Sequence, residues 1–178
     1  MTMNAKPLTL SLAFAALLAA CGADPQPGGN APAEISQTDT APVPVGEAGS
    51  TNEATFTVTA VTTPKQIGPQ GVGGKAATGE TYVVVDYTIK NTGDSTLAFL
   101  EWPKFSLVGP ENQTIAADDM ASAMSASTMD DPSGMASDLN PGVSAKARAA
   151  WKIDASAFDK KTWKLVLASD PQLTFALQ

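Results

Sequence analysis

Thr81-Tyr82-Val83-Val84-Val85-Asp86-Tyr87-Thr88-Ile89-Lys90-Asn91 is the stretch that decides the fold class. Val83, Val85, Tyr87 and Ile89 alternate with Val84, Asp86, Thr88 and Lys90, and a period of two places the first set on the buried face of a half-buried strand. Asn91-Thr92-Gly93-Asp94 then supplies the turn chemistry that ends it. A second alternation lies downstream, with Ala145, Ala147, Ala149, Trp151 and Ile153 on one face and Lys146, Arg148 and Lys152 on the other. Small residues followed by one tryptophan predict a core that tapers along this strand.

Five shorter runs continue the pattern. They are residues 54–61 with Phe56 and Val58 inward, 96–100, 104–108, 162–168 with Trp163, Leu165 and Leu167 inward, and 173–177. About seven short strands with no long helix between them predict an all-β, immunoglobulin-like two-sheet sandwich, because a parallel sheet needs long crossovers. Residues 53–178 are enough chain for a single core.

Upstream of that domain the texture changes. Residues 22–52 hold five prolines, five glycines, the acidic Asp24, Glu34, Asp39 and Glu47, and no basic or aromatic side chain. Such a segment buries too little apolar surface to offset its ordering entropy, so residues 21–52 read as a flexible linker, extended and polyproline-like around Ala41-Pro42-Val43-Pro44-Val45. Lys6 precedes an uncharged run over residues 8–20 that falls short of the roughly 20 apolar residues a membrane span needs. Residues 1–20 are therefore expected to be a cleaved signal peptide. The run ends in Leu18-Ala19-Ala20-Cys21-Gly22, which resembles the lipobox of bacterial lipoproteins. That resemblance implies cleavage before Cys21 and lipid attachment to it, with enough acyl chains for stable anchoring in a membrane. In Gram-negative envelopes an aspartate after the lipidated cysteine commonly signals inner-membrane retention. Gly22 in that position implies the outer membrane, facing the periplasm.

Composition excludes several chemistries. Cys21 is the only cysteine, so no intramolecular disulfide forms, and once acylated it leaves no thiol nucleophile or thiolate ligand. The chain has no histidine, which removes Ser-His-Asp and Cys-His catalysis, imidazole-based zinc sites and a histidine pH switch. Without Lys6, ten basic residues face 18 acidic ones, a poor balance for nucleic acid.

Gly79 to Asp94, followed by Leu139-Asn140-Pro141-Gly142 and the strand to Trp151, resembles the telokin-like, immunoglobulin-like domains of unknown function found in bacterial lipoproteins. The resemblance covers most of residues 53–178. It implies a sandwich on an extracytoplasmic tether and brings no catalytic residue to carry over. A long insertion near 113–139 departs from a compact member.

That insertion holds Met120, Met124, Met129 and Met135, the only methionines beyond Met1 and Met3. Thioethers are soft ligands suited to Cu(I), although Met120 and Met124, four apart on a short helix, also suit gap-filling. Asp118, Asp119, Asp130, Asp131 and Asp138 lie in the same segment without the alternation and glycine of a calcium loop, so a solvated acidic loop is favoured. Gly68 to Ala76 imitates a phosphate loop but puts Pro69 and Ala76 where a glycine and a hydroxyl residue are required. Ser144 and Lys146 are one residue too close for serine-lysine chemistry. Lys146, Arg148, Lys152, Lys160, Lys161 and Lys164 concentrate positive charge in the last third, which fits an exposed sheet face or an anionic partner. Trp102, Trp151 and Trp163 read as core anchors. The expectation is thus a non-enzymatic binding or envelope-accessory lipoprotein without a cofactor, contacting the membrane through Cys21 and an envelope protein or glycan, with periplasmic Cu(I) binding as the alternative.

Overall fold

Strands β5 (Glu80–Asn91) and β8 (Ser144–Asp154) run long because neither contains a glycine or proline to interrupt its alternation. In the computed structural model, which describes residues 41–132 and 137–178, they pair antiparallel from Glu80↔Asp154 to Lys90↔Ser144. This register sets Val83 opposite Trp151, Val85 opposite Ala149 and Tyr87 opposite Ala147. On the other side of β5 lies β2 (Ala54–Thr62), bulged between Val58 and Ala60, and β1 (Ala48–Ser50) completes a sheet ordered β1-β2-β5-β8. The second sheet is ordered β10-β9-β6-β7, from β10 (Leu173–Phe175), β9 (Lys164–Leu167), β6 (Phe105–Val108) and β7 (Thr114–Ala116). A small hairpin joins β3 (Gln66–Ile67) to β4 (Gly74–Lys75).

The two four-stranded sheets share one core in a sandwich-like arrangement. Phe56, Val58, Val83, Val85, Ile89 and Trp151 from the first sheet meet Phe105, Leu107, Leu165, Leu167 and Phe175 from the second. Phe105 joins them through edge-on ring contacts, with centroids 6.0 Å from Phe56, 4.8 Å from Tyr87 and 5.9 Å from Phe175. The face expected to be buried on each clear strand is therefore the one that builds the core.

Four features differ from the sequence reading. Ten strands, rather than about seven, are present among the described residues, because the added ones are two or three residues long and too short to show a period. Residues 96–100 do not form a strand: Leu97 makes a single bridge to Leu139, and the chain then enters a 3-10 turn, Phe99–Glu101, ahead of Pro103. The ordered domain also begins upstream of residue 53. The Val43 amide donates to the Thr174 carbonyl at 2.8 Å, its own carbonyl accepts from Ala176 at 2.9 Å, and β1 pairs with β2. A Cβ at Gly49 would meet Leu173 and Phe175 side-chain atoms at 3.1 Å, a tight approach that the glycine relieves. Composition alone could not reveal that this proline-rich segment has a partner. Finally, the insertion is built into the fold. It contributes β7 and the helix α1 (Asp119–Ala126), and with the β3–β4 hairpin α1 covers the outer face of the first sheet, which is why Tyr82, Val84 and Ala150 are buried. The signal peptide read over residues 1–20, Cys21, the linker up to residue 40 and Met135 lie outside the described residues.

Trp151 is fully buried, and its indole N–H donates to the Ile115 carbonyl at 3.0 Å. Trp151→Ala is expected to cost about 3–5 kcal/mol, read from equilibrium denaturation. An unchanged midpoint would contradict this placement.

Candidate functional site

The inward face of β8 has alanine where a filled sandwich would carry larger side chains. Opposite the alanines stand Tyr87 and Val85, and the space left between the sheets is a cleft of about 630 Å³. Its walls include Ala147 and Ala149 of β8, Tyr87 of β5, Phe105 of β6, Trp102, and Ala123 and Ala126 of α1. At its edge the 3-10 turn presents Phe99 and Leu100, the latter 91% exposed. The size lies within the range of small-molecule clefts, roughly 300–1,000 Å³, and the apolar walls match their usual chemistry.

Polar groups interrupt those walls, among them Lys104, Asp119, Ser122, Ser127 and Arg148, and two more are carried by aromatic residues. Trp102 is only 8% exposed, and its Nε1 is a buried donor with no hydrogen-bond partner among the described residues. The other indoles are satisfied, Trp151 by Ile115 and Trp163 by the Ala157 carbonyl at 2.8 Å. An unmade buried hydrogen bond costs on the order of 1–3 kcal/mol, so Trp102 is the costly member of the three. The Phe99 ring stacks edge-on against it at 5.2 Å. The second group is the Tyr87 phenol, whose pKa burial pushes up to about 12.

The helix over the cleft is tied down at both ends. The Asp118 side chain caps it by accepting the Ala121 amide at 2.9 Å, and Ser122 Oγ accepts the Ala150 amide of β8 at 2.9 Å. At its far end the Arg148 guanidinium donates to the Ser125 carbonyl at 2.8 Å and to Thr128 Oγ1 at 3.2 Å, while its Nε pairs with the Asp86 carboxylate. A cation on the last turn suits the helix dipole. Lys104 and Asp119, both exposed, pair at 3.5 Å beside the cleft.

The residues singled out by sequence are dispersed. Met120 is 66% exposed, Met124 packs against the cluster of Ile67, Ala76 and Tyr82, and Met129 is half-buried. Asp118 is a helix cap, Asp119 pairs with Lys104, and Asp138 accepts the Phe99 amide at 2.9 Å. Among the described residues, no three or more carboxylates, histidines or cysteines converge where they could hold a metal ion. Gly68 to Ala76 forms the β3–β4 hairpin, with Lys75 exposed. The basic stripe is broken: Lys146 is exposed, Lys152 lies 3.9 Å from Glu80, and Arg148 is engaged. A second, more open pocket of about 560 Å³ includes Lys65, Lys160 and Lys161, but Lys65 and Lys160 donate to the backbone carbonyls of Glu80 and Val61. The cleft residues Tyr87 and Trp102 were not distinguishable from ordinary core in the sequence. The three alternating alanines were the available signal, and they read as a taper.

Comparison with known proteins adds a family. The model of a domain of unknown function, DUF4352, matches residues 43–171. The chain is 35% identical over 127 residues to the uncharacterized protein YxkC of Bacillus subtilis strain 168, covering 71% of each chain. It also resembles the crystal structure of a conserved hypothetical protein from Bacillus anthracis, at 18% identity and a TM-score of 0.61, over 76% of this chain and 95% of that one. An uncharacterized β-sandwich protein from Clostridium difficile 630 aligns at 12% identity and a TM-score of 0.54, over 82% of this chain and 100% of that one. At these identities the structural likeness speaks for the fold.

Burial of Tyr87 has a measurable consequence. Below about pH 10 the phenol is neutral in both the folded and the unfolded chain. Between the ordinary value of 10.0 and about 12 only the unfolded chain ionises, so the contribution of this group to stability is lost as pH rises through that window. In Tyr82→Phe, which leaves one tyrosine, the tyrosinate absorbance is expected to rise with a midpoint near 12. A midpoint near 10 would show a solvated phenol.

Proposed function

The chain belongs to the DUF4352 family, and from that premise we propose that it is a non-enzymatic binding module of the bacterial cell envelope, using the cleft between its two sheets as the binding element. The sandwich is of the immunoglobulin-like, telokin-like type. Lipid on Cys21 holds it to a membrane, with the outer membrane facing the periplasm as the location suggested by Gly22. The observation that carries the reading is the cleft itself: a mostly apolar space of about 630 Å³ lined in part by Trp102, whose indole N–H is buried and unpaired among the described residues. A sandwich selected only for stability would fill such a space, since unfilled volume and unpaired donors both cost free energy.

Cu(I) binding by the methionines is the competing proposal. It has less support, because Met124 is engaged in packing against the hairpin cluster and is separated in role from the exposed Met120.

Binding is tested with the neutral fluorescent probe N-phenylnaphthylamine. The folded domain is expected to bind it saturably at one site per chain, and Ala147→Phe, which places a ring in the cleft, is expected to weaken binding by about 10-fold or more while native circular dichroism is retained. Probe binding unaffected by this substitution would place the binding elsewhere. For the anchor, metabolic acyl labelling is expected to mark the full chain and not Cys21→Ser. An unlabelled full chain would remove the lipid.

A further inference from the structure

Resting on the binding role proposed above, we infer that the cleft receives an extended peptide segment of an envelope protein, which adds as a strand to the free edge of β8 and carries acidic and large apolar side chains in alternation. The cleft reaches that edge. Ala147, Arg148 and Ala149 are consecutive and all three line it, whereas the inner face of the strand alone would contribute every second residue. In the first sheet β8 stands last in the order and pairs with β5, so its other side has no strand.

Alternation identifies the free main-chain groups. The Asn91 amide donates to the Val143 carbonyl and the Ala155 amide to the Gly79 carbonyl, and the unbroken register between these points turns the odd-numbered amides and carbonyls of β8 toward β5. The even-numbered ones point outward. At Ala150 the fold itself uses them: the carbonyl accepts the Asp118 amide at 2.9 Å, and the amide donates to Ser122 Oγ at 2.9 Å. The main-chain groups of Lys146 and Arg148 have no such partner among the described residues. The Arg148 side chain leaves the edge, its Nε drawn back to Asp86 of β5. A small molecule would satisfy one of these amides or carbonyls. An extended main chain, with its own alternating donors and acceptors, satisfies all four.

Register then sets the side chains of the added strand. The residue beside Lys146 shares its outer face, where Lys146 is exposed and stands diagonal to the exposed Lys90. Neither lysine lies within ion-pair distance of a carboxylate among the described residues. An aspartate or glutamate is therefore favoured beside Lys146 and a lysine is disfavoured. The next residue turns inward beside Ala147 and Ala149, where the open volume takes a large apolar group. Lys104 and Asp119 on the rim, both exposed and opposite in sign, do not bias the choice. A second copy of this chain is a poor occupant, because antiparallel pairing of the two free stretches would bring both copies' Lys146 and Arg148 together.

The test uses the full chain as Cys21→Ser, free of lipid, with short capped peptides that alternate glutamate with phenylalanine and valine. Binding is followed by displacement of N-phenylnaphthylamine and by amide hydrogen exchange. The glutamate peptide is expected to displace the dye and to slow exchange of the Lys146 and Arg148 amides about 10-fold or more. Lysine in place of its glutamates should weaken binding about three-fold or more. N-methylation of either the glutamate or the apolar amides should weaken it about 10-fold in one of the two cases, since only one set faces β8. Lys146→Pro removes an outward amide that the ladder to β5 does not use, and it should weaken the peptide about 10-fold while keeping the dye. Lys146→Glu, at an exposed site, should reverse the preference between glutamate and lysine peptides, and it decides the matter if the proline variant does not fold. A dye that binds but is not displaced, unprotected Lys146 and Arg148 amides, a lysine peptide as tight as the glutamate one, or both methylated peptides as tight as their parent would overturn the strand addition and leave a binding cleft in place. A dimer dispersed by Lys146→Pro would give the edge to a second copy and overturn it as well. Failure of dye and peptides alike to bind would overturn the binding role itself.

Discussion

The ladder between β5 and β8 is the constraint on which the rest of the molecule depends. Its register runs without a break from Glu80↔Asp154 to Lys90↔Ser144, and it assigns every side chain of two strands to one face or the other. A slip of one residue would send Val83, Val85 and Ile89 to the wrong side of the sheet and bring Asp86 and Lys90 into the core. The same register puts Trp151 and Ile153 at one end of the inward face and alanines along the rest of it. Core and cleft are therefore two outcomes of one pairing: where β8 carries Trp151 the sheets pack closed, and where it carries Ala147 and Ala149 they leave room.

The outer face of this ladder depends on the register as well. Val84 and Tyr82 point away from the core, yet both are buried, because α1 and the β3–β4 hairpin form a further layer over them. Arg148, on that face of β8, reaches Asp86 across the ladder and the last turn of α1. Burying such an ion pair has a desolvation cost that can rival its Coulombic gain. Its clearer contribution is geometric: one side chain fixes the helix relative to the strands that line the cleft.

How much of this was legible in the sequence follows from length and from partner. The long strands announced themselves, since eleven or twelve residues of alternation leave little ambiguity. Ala48–Ser50 and Thr114–Ala116 did not, because three residues carry no period and their pairing depends on sequence far away. The proline-rich segment around Val43 looked like free linker because its hydrogen bonds are made to Thr174 and Ala176 at the other end of the domain. The methionines of the insertion drew attention as a chemical group, whereas the fold separates Met120 from Met124 by burial. Trp102 could be recognised as large and apolar, but an unpaired N–H is a property of surroundings that no spacing encodes.

If the alanine face of β8 is an opening kept for a ligand, the space beside Ala149 should admit a larger side chain. Equilibrium denaturation of Ala149→Leu measures this directly. The account predicts a stability within about 1 kcal/mol of the native protein, or above it, because the added methyl and methylene groups enter existing volume. A loss of about 3 kcal/mol, the mark of overpacking in a closed core, would contradict the cleft and the binding role built on it.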